Sequence, residues 1–373
     1  MKKIFIAGIT GSIGTQAVEV IKKLGPEYKI VGGSVNTNFE KAKKIIDENN
    51  IEYFYVNKKD FKENYYGKCK IYSGDSFEEV LSLCKADTVI LATSGAAGIK
   101  HSFAAVRNSK RVCLANKETI VCSGSIFTDY AEKNSSEIIP VDSEHSAIFQ
   151  LLDGEKNSPE KIILTASGGS LRDKSYEELD NITVEEVLNH PVWNMGKRIT
   201  VDSATMLNKG LEVIEAYEFF NTENIEVYIN RNSIVHSMIA FKDGTVKMHY
   251  GIPDMKVPIA YSITYPERKY NYRIPDFTEN PVAFQNVDFL KAPLLKTAFE
   301  IMKNLSMRIA YNASDEIAVE GFIKKEIPYK KIFGIVNKTV EYIGSKSFKI
   351  ASVDDILYID DLSRKKAKEF IKE

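Results

Sequence analysis

Several things are scarce in this 373-residue sequence. Four cysteines (Cys69, Cys84, Cys113 and Cys122) show no CxxC pair and no metal-finger spacing, which excludes a disulfide framework and a zinc finger. Free buried thiols in a reducing cytoplasm are expected instead. No apolar run approaches the roughly 18 residues of a membrane span, so no membrane partner is expected. The formal net charge of -1 leaves no basic surplus for nucleic acid. The basic start, Met1-Lys2-Lys3, leads into an apolar run too short for a secretion signal, and it reads as a first strand. There is a single tryptophan, Trp193. What is plentiful is ordinary core material: 44% of residues are hydrophobic, enough at this length for two or three domains.

The pattern divides the chain in three. Residues 1–145 alternate short apolar runs with amphipathic helices: strands at Lys3–Ala7, Lys29–Val31, Thr88–Ala92, Arg111–Ala115 and Glu137–Val141, helices at Gly14–Leu24 and Phe39–Asn49. This is the pattern of a doubly wound parallel sheet covered on both faces. Residues 146–285 change to period-two strands at Lys161–Thr165, Glu226–Ile229 and Val246–Tyr250, with a hairpin signal at Asp243-Gly244. An α+β catalytic or connective domain is expected there. Residues 286–373 show helical period in Ala292–Lys303 and Ala313–Lys325, which predicts a terminal helical bundle.

Six stretches carry chemistry. Gly8-Ile9-Thr10-Gly11-Ser12-Ile13-Gly14 joins a strand to a helix. Its glycines allow backbone N–H groups to approach a pyrophosphate at the positive end of that helix. The spacing is GxxGxxG, so the usual dinucleotide fingerprint is met approximately, and a glycine turn without nucleotide is the bland reading. After the second strand, Gly32-Gly33-Ser34-Val35-Asn36 contains no carboxylate, which favours NADP over NAD. Val141-Asp142-Ser143-Glu144-His145 follows a strand; on extended backbone its two carboxylates share one side and suit a hard cation, Mg²⁺ or Mn²⁺. Leu114-Ala115-Asn116-Lys117-Glu118 ends the strand before it. Thr165-Ala166-Ser167-Gly168-Gly169-Ser170 offers an anion-cradling turn or an ordinary loop. The densest stretch runs from His190 through Trp193, Asn194, Met195, Gly196 and Lys197 to Ser203, Asn208, Lys209 and Glu212. Its hydroxyls, amide and lysine suit an anionic substrate, its carboxylate a metal, and Trp193 a lid.

In these motifs the chain resembles the 1-deoxy-D-xylulose 5-phosphate reductoisomerase family over nearly its whole length. Asn312-Ala313-Ser314-Asp315-Glu316 also resembles that family's helical end. The resemblance implies an N-terminal Rossmann-like domain, a central domain with a flap near residues 186–198, and a C-terminal helical domain. It implies Asp142, Glu144 and Glu212 as metal ligands. Lys117, Ser143, Glu144, Ser167, His190, Ser203, Asn208, Lys209 and Glu212 match substrate positions, with Ser167, Ser203, Asn208 and Lys209 toward the phosphate. Thr10, Gly11, Ser12, Ile13, Asn116, Glu118 and Gly196 match NADPH contacts, joined by Gly33, Ser34 and Asn36 of the second-strand turn. Lys117, Asp142, Glu144, His190 and Glu212 are the expected catalytic set, and His236 falls near it. Two departures stand out: Val192 replaces an asparagine common between Pro191 and Trp193, and the second-strand turn lacks a basic residue.

The implied reaction is NADPH- and metal-dependent rearrangement and reduction of a phosphosugar, by retro-aldol cleavage and re-aldolisation followed by hydride transfer. A homodimer is the family's usual state. A metal-independent NADP dehydrogenase would share the nucleotide half but gives no reason for the DxE with a distant glutamate. A non-catalytic NADP sensor gives no reason for so complete a set of reactive residues.

Overall fold

The first strands are near-continuous apolar runs because both faces of a parallel sheet are covered. In β1 (Lys2–Ala7) the last four residues are buried, and in β6 (Thr88–Leu91) all of them are. With β2 (Tyr28–Val35), β3 (Tyr53–Val56), β4 (Tyr65–Tyr66), β5 (Cys69–Ser73), β7 (Arg111–Leu114) and β8 (Glu137–Pro140) they form one sheet, ordered β4-β5-β3-β2-β1-β6-β7-β8. Every pairing is parallel except β4 with β5. Strand order reverses between β1 and its two neighbours β2 and β6, so a crevice opens beyond their carboxyl ends. The sheet is Rossmann-like. A register shift after Ile4 leaves Val31 unmatched and brings Phe5 opposite Gly32. A Cβ at Gly32 would come within 2.5 Å of Cys84 Sγ and 2.7 Å of the Phe5 ring, so glycine there lets the Phe77–Cys84 helix close onto the sheet.

In this computed structural model, which describes residues 1–96, 98–193 and 195–373, the chain forms two units of interleaved segments. The first gathers Met1–Thr119, Phe127–Ser146 and Asp254–Arg273; the second holds Ile120–Ile126, Ala147–Pro253 and Ile274–Glu373. The three consecutive segments expected at 1–145, 146–285 and 286–373 therefore do not map onto compact units one by one. The helix Lys256–Thr264 returns to the nucleotide-type half and sinks Ile259, Ala260 and Ile263 into its core, alongside Ala17 and Val20 of the Ser12–Leu24 helix. Lys256 also meets Glu19 at 2.7 Å.

The second unit contains a five-stranded sheet, β12-β11-β9-β10-β13. Its strands are β9 (Lys161–Ala166), β10 (Ile225–Ile229), β11 (Val235–Ala240), β12 (Val246–Tyr250) and β13 (Gln285–Asn286). β9 and β10 run parallel; the other pairings are antiparallel. Four helices follow: Pro293–Ile301, Leu305–Ile323, Lys331–Gly344 and Val353–Lys372. The second begins eight residues before the sequence pattern suggests. Arg308, Asn312, Ser314 and Asp315 are buried in it, and those polar residues mask its apolar period. Among the described residues no helix is long and apolar enough to cross a membrane. All four cysteines are buried free thiols.

Candidate active site

In the first unit, the turn after β1 is built for close backbone approach. Gly8 has φ +78°, and a Cβ there would fall 2.6 Å from the Ala92 carbonyl oxygen beyond β6. Gly14 sits so close that a Cβ would meet the Gly8 carbonyl oxygen at 2.2 Å. Gly11 caps the Ser12–Leu24 helix without any side-chain hydrogen bond, leaving the helix N-terminus to a ligand. Gly11 and Ser12 are exposed, Thr10 and Ile13 half-buried, so the four expected contacts form the lip of the crevice.

Strand β2 runs four residues beyond the predicted end at Val31, which alters the expectation for its turn. Gly33 and Ser34 lie inside the strand and are buried. Ser34 accepts the Gly8 N–H both at its carbonyl oxygen (3.0 Å) and at Oγ (3.1 Å), so it braces the turn. Of the three, Asn36 is the exposed one, and its side chain accepts from Asn57 Nδ2 at 3.3 Å.

Asn116 and Glu118 are also buried. Asn116 Nδ2 donates to the Thr93 carbonyl at 2.8 Å and to Glu118 at 2.7 Å, while the other Glu118 oxygen accepts the Gly95 N–H at 2.8 Å. The pair thus fastens the loop after β6 that flanks the crevice.

Because Leu114 and Pro140 are register partners, the residues just past β7 and β8 emerge side by side at the carboxyl edge of the sheet. Lys117 Nζ meets Asp142 Oδ2 there at 2.9 Å. His145, fully buried, comes within 3.5 Å of the same oxygen. Burial alone would raise the Asp142 carboxyl, but Lys117 and His145 outweigh it and hold the group well below the usual carboxylate range. Asp142 is therefore ionised. The backbone differs from expectation in one respect: the DxE is not extended, since a helix starts at Ser143 and runs to Leu152. Ser143 Oγ donates to Glu144 at 2.6 Å in its first turn.

In the second unit, Gly168 (φ +83°) and Gly169 (φ +72°) fold the segment after β9 into a tight turn. Ser167 Oγ accepts the Gly169 N–H at 3.2 Å and lies 3.1 Å from His190 Nε2. A Cβ on Gly169 would collide with the Ser203 carbonyl oxygen at 2.7 Å, so this glycine seats the Ser167 turn directly on the Lys197–Ala204 helix that carries Ser203. The next helix, Leu207–Phe220, presents Asn208, Lys209 and Glu212 within its first turns; both Asn208 and Lys209 donate to Glu212. Lys209 and Glu212 are buried, whereas Ser203 and Asn208 are half-buried.

Between two helices, the described residues from His190 to Gly196 are irregular backbone. His190 Nδ1 accepts the N–H groups of Val192 (3.2 Å) and Trp193 (2.9 Å), which leaves the proton on Nε2 to be donated to Ser167. Burial, then Arg172, lowers the imidazole to about 4, so it is neutral. Trp193 lies 6.4 Å from the His236 ring, centre to centre, and His236 lies 5.6 Å from His249. Met195 is half-buried and Gly196 exposed; Asn194 lies outside the described residues.

Sequence reasoning missed the supports. Arg172 donates to the Ser167 carbonyl at 3.0 Å and to the Arg231 carbonyl at 2.7 Å, gripping the serine turn from behind. His145 lay inside a quoted motif without a role. Arg172, a basic residue two positions after an anion-cradling turn, had a signal; His249 had none.

Comparison with known proteins agrees with these motifs. Residues 4–124 match the 1-deoxy-D-xylulose 5-phosphate reductoisomerase family, and residues 138–220 match the C-terminal domain of that enzyme. Residues 250–366 match the family described as DXP reductoisomerase C-terminal domain. The chain is 41% identical to the 1-deoxy-D-xylulose 5-phosphate reductoisomerase of Pseudothermotoga lettingae, covering 100% of this chain and 99% of the relative. It is 38% identical to that of Listeria monocytogenes over 100% of both. A crystal structure of DOX-P reductoisomerase in complex with NADPH, fosmidomycin and magnesium superposes with TM-score 0.91 at 34% identity, covering 100% of this chain and 98% of the other. The Zymomonas mobilis enzyme in complex with NADPH gives TM-score 0.90 at 32% identity, covering 100% and 99%.

Proposed function

The chain belongs to the 1-deoxy-D-xylulose 5-phosphate reductoisomerase family, and from that premise we propose how its residues divide the reaction. The protein is an NADP-dependent oxidoreductase of the non-mevalonate isoprenoid route. It rearranges and reduces 1-deoxy-D-xylulose 5-phosphate to 2-C-methyl-D-erythritol 4-phosphate with NADPH and Mg²⁺ or Mn²⁺.

The residues present suit both groups. A Cβ at Gly8 would fill the place where the turn meets Ala92, and the uncapped helix behind it suits a pyrophosphate. Asp142, Glu144 and Glu212 offer only carboxylate oxygens, the donor set of a hard divalent cation. When bound, the metal supplies Lewis acidity at the substrate's carbonyl and hydroxyl oxygens, and NADPH supplies the hydride.

The chain's own residues do the rest. Lys117 stands ready as a cationic donor to the sugar oxygens, beside the ionised Asp142 that keeps it charged. Ser143 takes its place next to Glu144 as a further substrate contact. Ser167 and Ser203 give hydroxyls to the phosphate, joined by Asn208 and Lys209, which exchange their bond with Glu212 for one with the anion. Freed in this way, Glu212 would hold the metal together with Asp142 and Glu144. Neutral His190 donates from Nε2 without adding a second buried charge. Closure of His190–Lys197, with Trp193 and Met195, excludes water from fragments that must not escape. Asn116 and Glu118 set the loop along which the cofactor lies, with Gly196 meeting it from the flap. Asn36, with no carboxylate beside it, donates from Nδ2 to the 2′-phosphate of NADPH.

The observation that most supports this reading is the juxtaposition of Lys117 with Asp142 at the carboxyl edge of the sheet, in the position where parallel sheets place ligands. Loss of NADPH absorbance on adding 1-deoxy-D-xylulose 5-phosphate, only when Mg²⁺ or Mn²⁺ is supplied, is the expected result. Turnover of equal rate in excess EDTA would remove the three carboxylates from their assigned role.

A homodimer in the cytoplasm completes the proposal. Strand β12 edges its sheet with Val246 48% and Met248 43% exposed, and Ile274, Phe277 and Leu290 are exposed as well. A bare apolar edge strand calls for a cover, and a second copy supplies it. Sedimentation at twice the chain mass of 42.0 kDa is the expected outcome.

A further inference from the structure

Asn312, Asp315 and Glu316 take no part in the chemistry above, although they lie on a largely buried helix. Asn312 and Asp315 are fully buried. What they face is Arg198, in the first turn of the Lys197–Ala204 helix. Its guanidinium reaches Asn312 Oδ1 at 3.4 Å, Asp315 Oδ2 at 3.4 Å and Glu316 Oε1 at 3.1 Å, and it meets Asp202, one turn along its own helix, at 3.5 Å. Glu316 is held in turn by Arg364 at 2.8 Å, and Arg364 grips Asp360 at 2.6 Å.

Two guanidiniums here serve four carboxylates. Burial and the neighbouring Asp202 push the Asp315 carboxyl well above the usual range, against the opposing pull of Arg198. Arg198 faces Asp202, Asp315 and Glu316 at once. Networks of this kind are poor sources of stability, because desolvating each ion offsets much of the attraction. Their value lies in admitting a single arrangement.

The position of Arg198 gives that arrangement a purpose. It lies two residues beyond Gly196, the cap of the helix into which the flap runs. That cap has no side-chain hydrogen bond, and a Cβ at Gly196 would have no neighbour within 4 Å. At the other end of the same helix, Ser203 abuts Gly169 of the serine turn. One short helix therefore carries the flap at its start and a phosphate contact at its end. Its C-terminal end is capped by Thr205, whose N–H donates to the Val201 carbonyl at 2.9 Å and whose Oγ1 donates to the Asp202 carbonyl at 3.2 Å, whereas Gly196 at its start offers no side-chain cap.

We propose that Arg198, clamped by Asn312, Asp315 and Glu316, is a positioning residue for the reaction: it fixes the point from which the flap closes and the register of Ser203 toward the phosphate. The inference rests on the assignment of His190–Lys197 as the flap and Ser203 as a phosphate contact.

Trp193 is the only tryptophan in the chain, so its emission reports the flap alone. In the full-length protein, Arg198→Met is expected to raise KM for 1-deoxy-D-xylulose 5-phosphate about ten- to a hundredfold, the scale of a misplaced binding group. It should also diminish the Trp193 emission change on adding that substrate with Mg²⁺, while NADPH affinity stays as in wild type. Wild-type KM and a wild-type emission change in the folded variant would overturn the proposal. So would a KM increase matched by an equal loss of NADPH affinity, which is the mark of general unfolding. Should Arg198→Met not fold, Glu316→Gln removes one clamping charge at constant shape. The same two shifts are expected, smaller, and their absence decides against the clamp. Wild type assayed alongside keeps the two readings apart: no turnover there sinks the reductoisomerase function. The Trp193 response to inorganic phosphate, compared between wild type and Arg198→Met, then still decides the clamp.

Discussion

Lys117 Nζ and Asp142 Oδ2 stand 2.9 Å apart because β7 and β8 end in register and release both residues on one edge. The pair is a charge relation as much as a contact, since Lys117 and His145 hold the half-buried Asp142 ionised. Asp142→Asn keeps the shape and removes the charge. Turnover is expected to fall by at least about a hundredfold, the upper range for losing even an outer partner of a metal. Part of it should return at high Mg²⁺. A metal titration of NADPH oxidation checks this, and an unchanged midpoint would exclude Asp142 as a ligand.

His190 should remain neutral across the working range. Burial, then Arg172, lowers its imidazole to about 4, so protonation sets in only as pH falls to that value. Imidazole resonances followed by NMR should show no His190 titration near 6.5, the ordinary value. A step at that pH, absent in His190→Gln, is the contrary result.

His101 links stability to acidity elsewhere in the first unit. It stacks on Phe77 with ring centres 3.9 Å apart, and burial lowers it from 6.5 to about 4. The unfolded chain accepts a proton below 6.5 that the folded chain refuses until about 4. Stability is therefore intact above the upper value and is lost progressively as pH falls toward the lower one. The full loss is on the order of 3 kcal/mol. Urea unfolding at neutral pH and at pH about 5 should show a smaller difference for His101→Phe than for wild type; equal slopes would refute the linkage.

Gly14→Ala tests the nucleotide turn. The new Cβ would sit 2.2 Å from the Gly8 carbonyl oxygen, a distance no side chain tolerates, so the turn must open. NADPH affinity should fall at least tenfold, about 1.4 kcal/mol. Quenching of bound-NADPH fluorescence measures it, and wild-type affinity would mean the turn is not the cofactor's seat.

Arg172→Met should loosen the serine turn without touching the nucleotide half. KM for the sugar phosphate is expected to rise about tenfold at unchanged NADPH affinity. Steady-state kinetics with each substrate varied in turn separates the two.

The residues to which we assign the chemistry stand out in the sequence because their types are rare together: a lone tryptophan with His190, a glycine turn after a strand, two carboxylates beside a serine. Buried parallel strands such as Thr88–Leu91 were equally plain, since nothing polar interrupts them. Tyr53–Val56 escaped notice because its tyrosines interrupt a buried apolar run, and Cys69–Ser73 because exposed Lys70 breaks one that is only partly covered. The start of the Leu305–Ile323 helix was hidden by polar residues whose partners lie far along the chain, Arg308 with Glu218 and Asp315 with Arg198. Such partnerships have no sequence period. Nor does the return of Asp254–Arg273 to the first unit, which depends on where the chain travels between.

That return has a consequence for synthesis. Ribosomes deliver a chain from its first residue onward, and domains fold as their parts emerge. Here the nucleotide half waits for Ile259, Ala260 and Ile263, which emerge only after β9 to β12 have been translated. Until then the face of the Ser12–Leu24 helix that they cover stays bare to solvent and to chaperones. The nucleotide half is thus finished only after much of the second unit has been made, and a nascent chain halted before Lys256 carries an incomplete nucleotide domain rather than a separable module.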